Sequence, residues 1–284
     1  MMKISLLNVL SQYFIKRLPI YLIVLTFCWI SPSLSKEKSS FPRTVKKVVI
    51  DAGHGGKDSG CSGKSVKEKD IALAVALKVG EYIKLNVPDV EVLYTRETDK
   101  FVELHERASF ANRNSADLFI SIHCNHSSVS SVQGTETYVI GNDKKDVNLE
   151  VARRENSVVA LETNYKDNYD GFSLDDPTSD IIFSLYQNSY MKQSLKFAEL
   201  IEDQFKNRAM RYSRGVKQES FLVLYKTSMP SVLIEIGFLS NKAEAQFLDS
   251  DIGQALIGSA VYRAFKDYKL YMDNRAQNGL KKSQ

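Results

Sequence analysis

Four side chains in this sequence carry groups suited to metal or proton chemistry: His54, Glu68, His123 and Glu235. His54 stands in Asp51-Ala52-Gly53-His54-Gly55-Gly56, directly after the apolar run Val48-Val49-Ile50. A short β-branched run that stops at a glycine-flanked histidine delivers an imidazole to a sheet edge. The glycines let the backbone turn sharply and leave space beside the ring. That setting suits a metal ligand or a catalytic base, and alone it selects neither. His123 repeats the context, since Ser121-Ile122-His123-Cys124-Asn125 follows Leu118-Phe119-Ile120. Glu68 lies in Lys67-Glu68-Lys69-Asp70, just ahead of a helical pattern.

The carboxyl ends of strands line the ligand crevice in open α/β sheets, and a helix N-terminus opens on the same edge. Two imidazoles and one carboxylate there make a three-ligand zinc set, with the fourth position left to water. Glu235 differs, because it sits inside the apolar run Val232-Leu233-Ile234-Glu235-Ile236. An ionised carboxylate there is costly without a partner, so a proton-transferring Glu with a raised pKa fits the place. The ligands are separated by 14 and 55 residues and form no short local motif. Their conjunction carries the weight. His105, on a charged helix, and His126 fit no role as well.

Those side chains need a sheet to hold them. The pattern predicts strands over 46–52, 90–94, 117–122 and 135–140. Helices are expected from Asp70, as N-cap, through Tyr82, and over 103–114. The second half continues with a long helix over 179–206 and short strands at 222–224 and 232–236. Closing helices follow at 241–250 and 252–270. Alternating strands and helices predict an α/β fold: a single domain with a twisted, mostly parallel sheet flanked by helices. Residues 142–178 break the rhythm with a helical piece near 147–161 and a polar, aromatic, acidic stretch. An insertion of that length in a compact domain is often functional.

The N-terminus reads as a secretory signal. Lys3, Lys16 and Arg17 precede an apolar run from Leu18 to Ile30, and small residues follow at Ser33 and Ser35. The expected organisation is a signal over 1–35, a linker over 36–45, a catalytic domain over 46–270 and a polar tail over 271–284. The apolar run is short for a spanning helix, which needs about 20 apolar residues, so no stable membrane span is expected after cleavage. Without the signal's three basic residues the 38 Lys and Arg become 35 against 34 Asp and Glu. That balance gives no basic footprint for nucleic acid. Cys61 and Cys124 are too few for a disulfide framework.

Several segments together resemble the zinc-dependent N-acetylmuramoyl-L-alanine amidases, and among them the exported cell-division enzymes. They are Asp51-Ala-Gly-His-Gly-Gly-Lys-Asp, Glu68-Lys-Asp, Thr95-Arg-Glu-Thr-Asp, Leu104-His-Glu-Arg, Ala111-Asn-Arg-Asn, Ala116-Asp-Leu-Phe-Ile-Ser-Ile-His-Cys-Asn and Pro230-Ser-Val-Leu-Ile-Glu-Ile-Gly-Phe-Leu-Ser-Asn. The match runs in order from about Lys46 to Tyr268. Cys124 departs from the family, where a small residue such as Ala is usual. The resemblance implies Zn2+ on His54, Glu68 and His123, with Glu235 as the catalytic carboxylate. The implied reaction is hydrolysis of the amide between N-acetylmuramic acid and L-alanine in peptidoglycan, for wall remodelling and daughter-cell separation. The implied location is the periplasm or cell envelope. A zinc exopeptidase or another amide hydrolase is the alternative that the same ligands would serve.

The resemblance also implies a role for the 142–178 insertion. Its helix would lie over the site and place a glutamate on the zinc until an exported activator protein moves it. Glu150 is the first candidate for that plug, Glu155 the second and Glu162 the third.

Overall fold

The computed structural model describes residues 44–281 except 64–65, 142–145, 164 and 170–189. The expected signal, most of the linker and the start of the 179–206 helix fall outside the described residues.

Six strands form one sheet in the order β2-β1-β3-β6-β4-β5. They are β1 (Lys47–Ala52), β2 (Glu91–Tyr94), β3 (Leu118–Asn125), β4 (Thr135–Ile140), β5 (Ser213–Glu219) and β6 (Ser231–Phe238). Every pairing is parallel except β4 with β6. The helices are α1 (Glu68–Asn86), α2 (Leu104–Arg113), α3 (Asp146–Asn156), α4 (Tyr165–Asn168), α5 (Met191–Asn207), α6 (Lys242–Asp249) and α7 (Asp251–Lys281). A 3-10 turn over Ser157–Leu161 follows α3.

Strand side chains alternate between two faces, and the two faces here differ in content. Val48, Ile50, Ile120, Ile122, Cys124, Val232, Ile234 and Ile236 belong to a core covered by α1, α5 and α7. The opposite face carries a second apolar cluster around Val49, Phe119, Tyr138 and Leu233, covered by α2, α3 and the 221–229 segment. Asp51, Ser121, His123, Asn125, Glu136 and Glu235 alternate with the first core along their strands, so they stand on this second face. All six are buried.

Local differences from the expected elements have physical causes. β3 runs on to Asn125, so His123 lies within the strand rather than after it. Lys67, not Asp70, takes the cap position of α1 and offers no side-chain bond, while Asp70 lies in the first turn. The apolar run 222–224 is buried yet forms a turn, and the strand at that stage is the polar β5 just before it. The tail is helical as far as Lys281 because Met272 is buried and Asp273 is held by Thr44 and by Lys269 at 2.8 Å. No helix among the described residues is long and apolar enough to cross a membrane.

Candidate metal centre

His54, Glu68, His123 and Glu155 bring one ligand atom each to a common point. β1 delivers His54, the first residue of α1 supplies Glu68, β3 carries His123, and Glu155 descends from α3. His54 Nε2 lies 3.0 Å from Glu68 Oε1 and 3.1 Å from Glu155 Oε2. His123 Nδ1 lies 3.2 Å from Glu68 Oε1, 3.1 Å from Glu155 Oε2 and 3.2 Å from His54 Nε2. A tetrahedral ion with donors at about 2.0–2.1 Å spaces them about 3.3 Å apart, so these separations fit one small cation. Glu155 Oε2 is buried without a hydrogen-bond partner, and so is His123 Nε2.

The electrostatics ask for positive charge. Burial opposes protonation of His54, but the Glu68 and Glu155 carboxylates outweigh it and hold its pKa well above the usual value. The same contest pushes His123 up to about 9, with Glu155 the main cause against burial. Burial would raise Glu68, yet His54 and hydrogen bonding bring it down to about 2. A field that draws protons onto two imidazoles also draws a divalent cation.

Each donor is braced from behind. His54 Nδ1 pairs with Asp58 Oδ2 at 2.8 Å, which turns Nε2 toward the centre. Glu68 accepts the Cys61 amide on Oε2 and the Cys124 amide on Oε1, both at 2.8 Å. Both cysteines are free. His54 itself adopts φ +60°, in the left-handed region that residues with a Cβ rarely occupy. Such a conformation costs about 1–3 kcal/mol and persists only where surroundings over-determine it. Two buried arginines supply that support. Arg96 donates to Ala52 O at 2.9 Å and Gly53 O at 2.7 Å. Arg107 donates to Ala52 O at 2.8 Å and His54 O at 2.9 Å. Arg107 also pairs with Asp51 at 2.8 Å, and that carboxylate further accepts Thr95 and Ser121 hydroxyls at 2.6 Å each. Gly53 has to be glycine, since a Cβ there would lie 2.4 Å from His123 Cε1.

Glu235 is the register partner of His123 on the neighbouring strand. Adjacent strands lie about 4.8 Å apart, so the carboxyl stands beside the donor set on the same face. It is fully buried, and neither oxygen has a hydrogen-bond partner. Burial first, then the negative charge of Glu155, raises its pKa well above the carboxylate range, with Arg154 opposing. Arg154 approaches Oε1 only to 3.6 Å. That guanidinium is committed elsewhere, to Glu155 Oε1 at 3.0 Å, Asn125 Oδ1 at 3.1 Å and His126 O at 3.2 Å.

The four sequence-predicted residues therefore meet. Glu150 does not join them: it is exposed on α3, and Glu155 takes the position by the donors. Glu162 is buried elsewhere, accepting the Leu104 amide at 2.6 Å and the Tyr169 hydroxyl at 2.7 Å. His105 stands by Glu162, and His126 is exposed. Sequence reasoning assigned no role to Asp58, Arg96, Arg107, Glu136 or Arg154. Glu136 accepts Asn125 Nδ2 at 2.9 Å and binds Arg214 and Lys217 at 2.7 and 2.6 Å. Arg96 and Arg107 carried a readable signal, as they fall in the Thr95-Arg and His-Glu-Arg segments; Arg154 lies in neither.

Comparison with known proteins gives a consistent result. A family profile described as N-acetylmuramoyl-L-alanine amidase matches residues 48–267. An uncharacterised Bacillus subtilis protein, YqiI, is 32% identical over 86% of this chain and 95% of its own length. The N-acetylmuramoyl-L-alanine amidase AmiA of Escherichia coli is 29% identical, over 87% of this chain and 84% of its own. Among solved structures, the catalytic domain of the amidase CwlV from Bacillus (Paenibacillus) polymyxa superposes with TM-score 0.58 at 31% identity, covering 78% of this chain and 97% of that domain. The CwlD amidase of Clostridioides difficile, solved in complex with the GerS lipoprotein, superposes with TM-score 0.58 at 26% identity, covering 78% and 98%.

Proposed function

The chain belongs to the N-acetylmuramoyl-L-alanine amidase family, peptidoglycan hydrolases, and we propose that His54, Glu68 and His123 hold a zinc ion while Glu235 moves the proton. The observation that carries this reading is the set of donor separations of 3.0–3.2 Å beside an unpartnered, buried carboxyl. Bound zinc supplies a Lewis acid that polarises the scissile carbonyl and acidifies a water. The chain's residues do the rest. Asp58 fixes the His54 ring, Arg96 and Arg107 hold the backbone that carries it, and the Cys61 and Cys124 amides fix Glu68. Glu235 takes the proton from the attacking water and hands it to the leaving L-alanine amine. A raised pKa suits both directions of that transfer.

Glu155 is the plug in this reading. Its carboxylate occupies the position that water needs, and Arg154 staples α3 to Asn125 and His126 beside it. An exported activator protein that lifts α3 would remove both. The signal over 1–35 sends the enzyme to the periplasm or cell envelope, where its substrate lies. The known complex of a family member with a lipoprotein supports a protein partner of this kind.

Digestion of purified sacculi tests the reaction. Release of intact stem peptides with free L-alanine amino ends is expected, with loss on chelation and recovery with zinc. Peptides cleaved within the stem would instead mark an exopeptidase and sink the assignment.

A further inference from the structure

Glu162, which does not reach the donors, has a different place in the molecule. The 3-10 turn that follows α3 leads into it, and its side chain is fully buried. Its Oε1 accepts the Leu104 amide at 2.6 Å and its Oε2 the Tyr169 hydroxyl at 2.7 Å. That hydroxyl in turn accepts the His105 amide at 2.8 Å. Leu104 and His105 are the first two residues of α2. The first amides of a helix find no partner within it, and Glu103 at the cap position of α2 offers them no side-chain bond. The insertion supplies both acceptors instead. A carboxylate there also meets the positive end of the helix dipole. Thr163 N returns a longer bond, 3.4 Å, to the Glu103 carboxylate.

The helix capped in this way is the one that supports His54. One turn further along α2, Arg107 donates to Ala52 O and His54 O, which holds the left-handed backbone at His54. The line from insertion to donor is short: Glu162, the first turn of α2, Arg107, His54. The capping segment is anchored on its own account. Val158, Val159 and Tyr169 are buried in the second core. Asn156, where α3 ends, donates to Ser220 O and accepts the Leu222 amide, both at 2.8 Å. None of these bonds involves residues 146–155, so α3 can leave the site without breaking them. Resting on the zinc amidase reading, we propose that Glu162 is a positioning residue for His54, acting with Tyr169 through the N-terminus of α2 and Arg107, and that residues 156–169 stay in place when the plug moves. The insertion then has two parts of opposite effect. One closes the donor set, and the other keeps it in shape.

Zinc affinity of the full protein, measured by competition with a chromogenic chelator, tests this apart from catalysis. Glu162→Ala removes both acceptors and should weaken zinc about tenfold. Tyr169→Phe removes only the relay to His105 and should weaken it less. Glu162→Gln keeps an acceptor for Leu104 and should stay closer to wild type than Glu162→Ala. Val158→Ala opens a cavity in the same cluster, so it should lower the melting temperature and leave zinc affinity unchanged. Stem-peptide release then separates positioning from plugging. Added to Glu155→Ala, Glu162→Ala should lower kcat about tenfold with KM unchanged; a double variant as active as Glu155→Ala overturns the positioning role. Wild-type zinc affinity in Glu162→Ala, or an equal loss in Val158→Ala, overturns it too and leaves the amidase reading intact. Should Glu162→Ala fail to fold, Tyr169→Phe decides, and unchanged zinc affinity there overturns the role. A wild type that neither binds zinc nor releases stem peptides would remove the amidase reading first, and this inference with it.

Discussion

At the scale of residues, the site separates holding from reacting. Glu235 touches nothing through a hydrogen bond, so Glu235→Gln preserves volume and removes only the proton acceptor. Stem-peptide release is expected to fall about 10²–10⁴-fold, with bound zinc unchanged by metal analysis; equal activity would remove Glu235 from the mechanism. Arg107 acts at a distance. Burial pushes the Asp51 carboxyl up, but Arg107, Ser121 and Thr95 outweigh it and hold the pKa below the usual value. A depressed carboxylate contributes stability that is full above its unfolded pKa, about 3.9, and is lost as pH falls through the folded value. Arg107→Leu leaves that buried charge unpaired and should cost about 3–5 kcal/mol near neutral pH. Denaturant titrations from pH 7 to pH 3 should show the gap from wild type narrowing as pH falls, first as Asp51 gains a proton in the folded variant, where burial is no longer opposed by Arg107, and last as it does so in folded wild type. A gap independent of pH would mean that packing, and not the ion pair, sets the loss.

At the scale of elements, α3 shows both what the sequence made readable and what it hid. The resemblance placed a helix over the site and made a glutamate the plug, but it favoured Glu150. Five residues on an α-helix turn the side chain by about 140°, so Glu150 and Glu155 cannot face the same way. Asn148, Val151, Ala152 and Glu155 are buried together, the 3–4 spacing of a packed face. That stripe was present in the sequence, and Glu155 is the acid on it. Glu155→Ala should raise basal release of stem peptides, and Glu150→Ala should leave it unchanged; the reverse ranking would place the plug elsewhere. β5 escaped for a different reason. Ser-Arg-Gly-Val-Lys-Gln-Glu is an edge strand whose polar side chains serve Glu136 and Glu202, so it lacks an apolar signature. The nearby run 222–224 has that signature and is a buried turn instead. Strands β1, β3, β4 and β6 were legible because each is an unbroken apolar or alternating run between turn residues.

At the scale of the whole molecule, an ion held as proposed would tie distant parts of the chain together. The donors come from β1, α1, β3 and α3, which pack on both sides of the sheet. Free zinc at a thousandfold excess over its dissociation constant stabilises a fold by about 4 kcal/mol. For a domain of this size that is roughly 8–16 °C in melting temperature. Chelation should lower the melt by that order, and a melt indifferent to chelation would argue against a metal bridging these elements. The two faces of the sheet carry a further consequence. On β1, β3 and β6 the even-numbered side chains build the covered core, and the odd-numbered ones include the reacting groups. Residue parity thus encodes a division of labour. A mutational scan of these strands, read by melting and by hydrolysis, should fall into two interleaved sets. Deleting one residue from β3 would exchange the sets and present isoleucines to the substrate.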